Sequence, residues 1–315
     1  MNQSLQGSQD NLQTGVDFLP WNSPGNLISH ETYLTTTFYL DAVVKPIVFV
    51  IGVPTNILNC LVFKQQGLRD RMNLCLFALV FVDMTYLAYS MMFTTAFCIR
   101  KLEPAIGEEL YMKMQYYGIS INYGLRETSA GISVLIAVER CVCVVFPLLA
   151  NTLISTRTMS ILLATIVIGM QLAFVTTPVK KRVFPVYDNT TGGTRWAVAP
   201  SAAWQENQAL MLYDKMEDTF MMIVFPLFTF ILVSGATAIT VIKLRAAILW
   251  RTKIRFSGSD AQDHQVALTK MLVLVSCVFI ASKAPWVAIT VTRIFYPDFS
   301  PSGSQSNLYR VLEVV

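Results

Sequence analysis

Six stretches of this chain are each long and apolar enough to cross a lipid bilayer, and that limits the fold before any motif is read. They lie at 38–63, 72–98, 112–146, 158–179, 217–244 and 266–296, with a further one starting at 305. About 20 mainly apolar residues are enough for a helix to span the hydrocarbon core. No water satisfies the backbone there, so a spanning segment is either a helix or one strand of a closed barrel. These segments are continuously apolar, whereas barrel strands alternate at every second residue. A content of 54% hydrophobic and 14% charged residues is equally far from a water-soluble domain. The expected fold is all-α: a polytopic membrane protein, a seven-transmembrane helix bundle over 38–315 with its seventh helix (305–315) incomplete. Residues 1–37 are polar and read as a disordered tail.

Lys and Arg are balanced between the two sets of loops, so the positive-inside rule chooses no orientation. Two glycosylation triplets do. Asn2-Gln3-Ser4 and Asn189-Thr190-Thr191 put the tail and the long loop after the fourth segment on one side, expected to be the outside. Within that loop, Gly192-Gly193 between residues 179 and 216 predicts a two-stranded hairpin.

Charges inside a membrane segment are costly and mark function by default. Asp83 stands about ten residues into the otherwise apolar second segment, near mid-membrane. Arg126 and Glu127 lie near the middle of the third, Lys283 near the middle of the sixth, and Glu139-Arg140 at the end of the third. Arg126, Glu127 and Lys283 sum to one positive charge. Two readings fit them: internal pairing of Glu127 with Arg126 or Lys283, or a pocket for the carboxylate or other anionic group of a ligand. Glu139-Arg140 likewise reads as a helix-end ion pair, as side chains reaching the headgroups, or as a functional pair.

Several of these residues form an ordered set. It comprises Gly52-x-x-x-Asn56, Asn73 ahead of Asp83, Glu139-Arg140-Cys141 followed by Pro147-Leu148, Pro226, and Phe279 ahead of Pro285. In order and spacing this resembles the rhodopsin-like (class A) G-protein-coupled receptors and, more loosely, invertebrate peptide or chemosensory receptors. The resemblance implies a plasma-membrane receptor with its N-terminus outside. Such a receptor binds an extracellular peptide or a small anionic chemosensory ligand and activates heterotrimeric G proteins. It also implies roles for particular residues. Glu139, Arg140 and Pro147 would form the G-protein switch, with Phe279 and Pro285 as the helix-six hinge. Asp83, Ser129 and Asn56 would hold an allosteric sodium ion. Asn122, Tyr123, Arg126, Glu127, Lys283 and Trp286 would line the ligand pocket. Asn122 stands where amine receptors of the family carry an aspartate, which argues against a biogenic amine.

The departures are informative. Gln115 occupies the helix-three position of the family's usual cysteine, and residues 179–216 contain none, so no disulfide is expected. Ser282-Lys283-Ala284-Pro285 replaces the family's Cys-Trp-x-Pro. No Asn-Pro-x-x-Tyr follows by Val315, which leaves a non-signalling truncated receptor as an alternative.

An enzyme is the first rival class. Its usual His-based arrangements fail because His30 and His264 both lie outside the membrane segments. Nothing points to nucleic acid, to catalytic residues, or to a metal other than sodium. A secondary transporter relaying charge through Asp83, Arg126, Glu127 and Lys283 is the stronger rival, although no internal repeat supports it. Charge reversal at Glu127 separates the two. Glu127→Lys in a receptor abolishes the ligand response with no solute flux to lose, whereas in a transporter a radiotracer flux assay falls to background.

Overall fold

The computed structural model describes residues 25–147, 150, 154–188, 193–254, 260–296, 298–300 and 303–314. Six of its helices are long and apolar enough to cross a membrane: helix one (His30–Gln66), helix two (Arg71–Leu102), helix three (Pro104–Val145), helix four (Thr156–Lys180), helix five, whose spanning part is Gln208–Ala247, and helix six, with Val273–Phe295 as its spanning part. Helix five continues to Ile254, helix six starts at Asp260, and helix seven covers Ser306–Val314. The strands β1 (Lys181–Asp188) and β2 (Gly193–Pro200) pair antiparallel between helices four and five, with Asp188 opposite Gly193. Gly193 of the expected glycine pair thus opens β2, and residues 189–192 lie outside the described residues.

Several helices outrun the apolar stretches that announce them. Helix one begins at His30 rather than at 38, because Ser29 caps it by accepting from the Thr32 amide at 3.1 Å. The polar first turns therefore belong to the helix and not to the tail. Helix three begins at Pro104 and helix five at Gln208, each well before its hydrophobic run; Asn207 caps the latter by accepting from the Ala209 and Leu210 amides. Hydropathy registers only the part of a helix that meets lipid.

Three helices contain one widened π turn each: Leu40–Val44, Met114–Gly118 and Phe220–Val224. The first and third end two residues before a proline, Pro46 and Pro226. A proline ring clashes with the carbonyl four residues back and offers it no N–H. Widening the preceding turn relieves both problems, and the Phe225 amide accordingly reaches back five residues to the Phe220 carbonyl.

Two compact units are present, one of Asp41–Val287 and one of the chain up to Leu40 together with Ala288–Val315. In the second unit the strand-like entry to helix one is stitched to the start of helix seven. The Leu27 amide donates to the Gln305 side chain at 3.1 Å, and the Asn307 amide donates to the Asn26 side chain at 3.1 Å. Phe299 and Tyr309 meet edge to face at 5.6 Å.

In the first unit, one buried cluster joins helix two (Met72, Cys75, Leu76, Leu79, Val82), helix three (Ile132, Ile136) and helix four (Met159, Leu163). A second joins Ala137 of helix three to Val233 and Ala236 of helix five, with Phe279 and Ile280 of helix six packed against them. Large apolar side chains such as Ile51, Ile168, Ile231 and Val278 point outward and stay exposed. In water such a surface would drive aggregation; in a bilayer it is the face covered by lipid.

Helices three and four approach closely because helix three presents small residues. A Cβ at Gly131 would lie 2.9 Å from the Ile166 side chain, whereas a Cβ at Gly169 would meet nothing within 4 Å. Gly131→Val should therefore destabilise by about 1–3 kcal/mol through overpacking, while Gly169→Val should leave thermal unfolding in detergent close to wild type.

Candidate functional site

Three groups of polar side chains sit among the apolar helices of the first unit. The first lies where helix two begins and helix three ends. Glu139 is wholly buried, at 0% exposure, between two guanidinium groups. Arg71 Nε lies 2.8 Å from one carboxylate oxygen and Arg140 Nε 3.0 Å from the other. The Arg140 contact is an ion pair without hydrogen-bond alignment, since neither Arg140 Nε nor that oxygen has a hydrogen-bond partner. The Cys143 thiol also donates to the carboxylate, at 3.3 Å.

Arg71 does more than neutralise charge. Its Nη1 donates to the backbone carbonyls of Ala150 at 3.2 Å and Ile154 at 2.8 Å, and its Nη2 reaches Cys143 Sγ at 3.2 Å. One forked side chain thus joins helix two, the end of helix three and the segment leading into helix four, which only the five-donor geometry of arginine permits. The Asp70 side chain caps the helix that carries it, accepting from the Asn73 amide at 3.2 Å. Pro147 lies in an exposed turn just beyond helix three. Leu148 is outside the described residues.

The second group lies midway along the helices. Ser129 Oγ donates to the Asp83 carboxylate at 2.6 Å, joining helices two and three. Asn56 is half-buried on helix one, and among the described residues no hydrogen bond links it to Asp83. Of the two pairings left open for Glu127, the geometry takes Arg126: Nε lies 2.8 Å from the carboxylate, which is almost fully buried. The Arg126 guanidinium lies 5.1 Å from the ring centroid of Tyr123 and 5.1 Å from that of Trp286 on helix six. Lys283 is within electrostatic reach of Glu127, Arg126 and Asp83, and its ammonium lies 6.0 Å from the Phe279 ring. Asn122 accepts from Ser90 Oγ at 3.1 Å, and Tyr123 meets Phe174 of helix four at 5.7 Å. Asn122 thus contacts helix two and Tyr123 helix four, while Arg126 of helix three is linked to Glu127 and to Trp286 of helix six. Pro285 stands inside helix six, leaving the Ala281 carbonyl without its usual N–H partner.

The third group holds the hairpin, and no sequence motif announced it. The Tyr117 hydroxyl accepts from the Val183 amide at 3.0 Å. Lys113 lies 5.2 Å from the Trp196 ring centroid and Lys181 lies 4.8 Å from that of Tyr116. These contacts flank Gln115, the position where the resembled receptors carry a bridging cysteine, and all six cysteines here are free. Beside them Lys180 pairs with Asp214, Glu217 and Asp218, and Thr176 donates to Glu217 at 2.5 Å, so helix four is fastened to the extended start of helix five. The glycosylation positions Asn2 and Asn189 lie outside the described residues.

The family model for the serpentine seven-transmembrane G-protein-coupled chemoreceptors named Srw matches residues 43–313. The chain belongs to that family. Curated proteins give no match. The protein is accordingly a multi-pass membrane receptor, not an enzyme, and the alternative of a transporter falls away.

Among the site residues, Arg71 carries no motif in the sequence, yet its position at the start of helix two distinguishes it. A cation in the first turn of a helix opposes the macrodipole, so an arginine there signals a partner elsewhere. Arg71→Ala should lower the unfolding free energy of the purified receptor by roughly 3 kcal/mol. That is the low end for breaking a buried charge pair, because Arg140 stays beside the carboxylate. Arg71→Lys, which cannot reach the carboxylate and two carbonyls together, should recover only part of the lost thermal stability.

Proposed function

We propose that this receptor detects a small extracellular ligand bearing a carboxylate or similar anionic group and passes the signal to a heterotrimeric G protein at the cytosolic face. In this orientation the hairpin and the N-terminus are extracellular and the Glu139 end is cytosolic. The observation that carries the reading is Glu139 at 0% exposure with Arg140 set beside it. Arg140 is only 12% exposed while so held, so it can meet a partner only by leaving the carboxylate. In the receptors this chain resembles, that release accompanies the outward swing of helix six, for which Pro285 supplies the weak point.

The ligand side rests on Arg126. Only its Nε is engaged by Glu127, and its terminal nitrogens have no hydrogen-bond partner among the described residues. Tyr123 and Trp286 each lie 5.1 Å from the guanidinium as aromatic neighbours, and its terminal nitrogens are left for a planar anion to take in forked fashion. Trp286 belongs to helix six and Arg126 to helix three, so an anion drawn to Arg126 acts on the helix pair whose separation the switch requires.

The test is a nucleotide-exchange assay on receptor-bearing membranes with added G protein. Glu139→Gln should raise basal exchange several-fold, and Arg140→Ala should abolish it. In a screen of small carboxylates, Arg126→Ala should weaken the response to any active compound by at least about tenfold, the loss of one charge-assisted contact. Wild-type exchange unchanged by Glu139→Gln would count against the switch, and undiminished responses in Arg126→Ala would count against the anion site.

A further inference from the structure

The resembled receptors hold a sodium ion at an aspartate and serine matching Asp83 and Ser129, and the residues present here do not fit such an ion. A carboxylate in the membrane interior needs a compensating cation, a proton or several hydrogen bonds. Ser129 supplies one hydrogen bond at 2.6 Å, and among the described residues no hydrogen bond links Asn56 to Asp83. Among the described residues that leaves most of the Asp83 charge to be met by a cation.

A positive charge is already nearby. Helix six touches helix three at two levels: Trp286 lies 5.1 Å from the Arg126 guanidinium, and Phe279 packs against the cluster around Ala137. Lys283 is four residues from Phe279 and three from Trp286, so all three share one face of helix six. The two helices run antiparallel, so Lys283 falls between those levels, beside the stretch of helix three around Ser129. That is where Asp83 reaches helix three. Arg126 is taken by Glu127 at 2.8 Å. The remaining opposite charges of the site are Lys283 on helix six and Asp83 on helix two, both set toward the stretch of helix three around Ser129. A sodium ion added there would neighbour two fixed cations, Lys283 and Arg126.

We propose that Lys283 is the resident cation of the Asp83–Ser129 site, its tethered ammonium standing where the related receptors bind sodium, so that this receptor neither binds sodium there nor responds to it. The substitution changes what the site can do. A diffusible ion leaves independently of any helix, whereas this cation is bonded to helix six and leaves Asp83 only when helix six moves. The site thereby couples helix two to helix six without reporting the salt outside.

The experiment is thermal unfolding of the full chain in detergent, titrated with NaCl against choline chloride at equal ionic strength. The wild type should unfold at the same temperature in both salts. Lys283→Met, which keeps the length and removes the charge, should gain a saturable sodium-dependent rise, and Asp83→Asn added to it should remove that rise. A saturable sodium effect on the wild type would overturn the proposal. A Lys283→Met protein as blind to sodium as the wild type would overturn it as well, since Asp83 would then not be a cation site. If Lys283→Met does not fold, sodium-NMR line broadening decides: broadening by the wild type no greater than by Asp83→Asn supports the proposal, and greater broadening overturns it.

Discussion

A charge inside a membrane protein must be met by another charge or by polar groups, and in this receptor several of those contacts join two different helices. Glu139 of helix three is held by Arg71 of helix two. Asp83 of helix two is held by Ser129 of helix three, and Arg126 of helix three lies against Trp286 of helix six. Apolar packing cannot specify these contacts so narrowly, because lipid tails satisfy an outward-facing leucine as well as a neighbouring helix does. A buried carboxylate has no such indifference. Removing its partner leaves a charge the hydrocarbon cannot solvate, so the polar contacts fix which helix faces which, and at what height.

The close contacts between helices three and four work alongside this. Gly124 and Gly131 let helix four approach until the Gln171 and Ile166 side chains lie over them. The prolines are absorbed within single helices rather than at breaks between them. The widened turns ahead of Pro46 and Pro226 keep helices one and five continuous across positions that would otherwise interrupt the hydrogen-bond ladder. Pro285 has no widened turn before it, and of these three it stands in the helix that the proposed switch would move.

Much of the fold was legible in the sequence because hydrocarbon permits so few solutions. The six apolar stretches correspond to six spanning-length helices, and the hairpin expected between residues 179 and 216 is present as two paired strands. The helix ends were not legible: the turns after His30 and Gln208 are polar and are held by side-chain caps from Ser29 and Asn207, and helix three opens at Pro104 without a side-chain cap. Among the site residues, the intramembrane charges stood out individually, as Asp83 and Glu127 did. Their pairing did not, because Glu127 had two cations in range on paper and only geometry chose Arg126. Arg71 was overlooked for a different reason. It stands among other basic loop residues, and only its place in the first turn of helix two distinguishes it from them.

The hairpin between helices four and five is attached to helix three by a tyrosine hydroxyl and two lysine–ring contacts, without a covalent link. A disulfide fixes such a lid permanently and ties its integrity to the redox state of the surroundings. Contacts of this kind are each worth about 1 kcal/mol, so the lid can lift and settle again on the timescale of thermal motion. For a chemoreceptor with the orientation proposed above that trait is useful: the hairpin behaves as a door rather than a wall, and reductants in the environment cannot unhinge it.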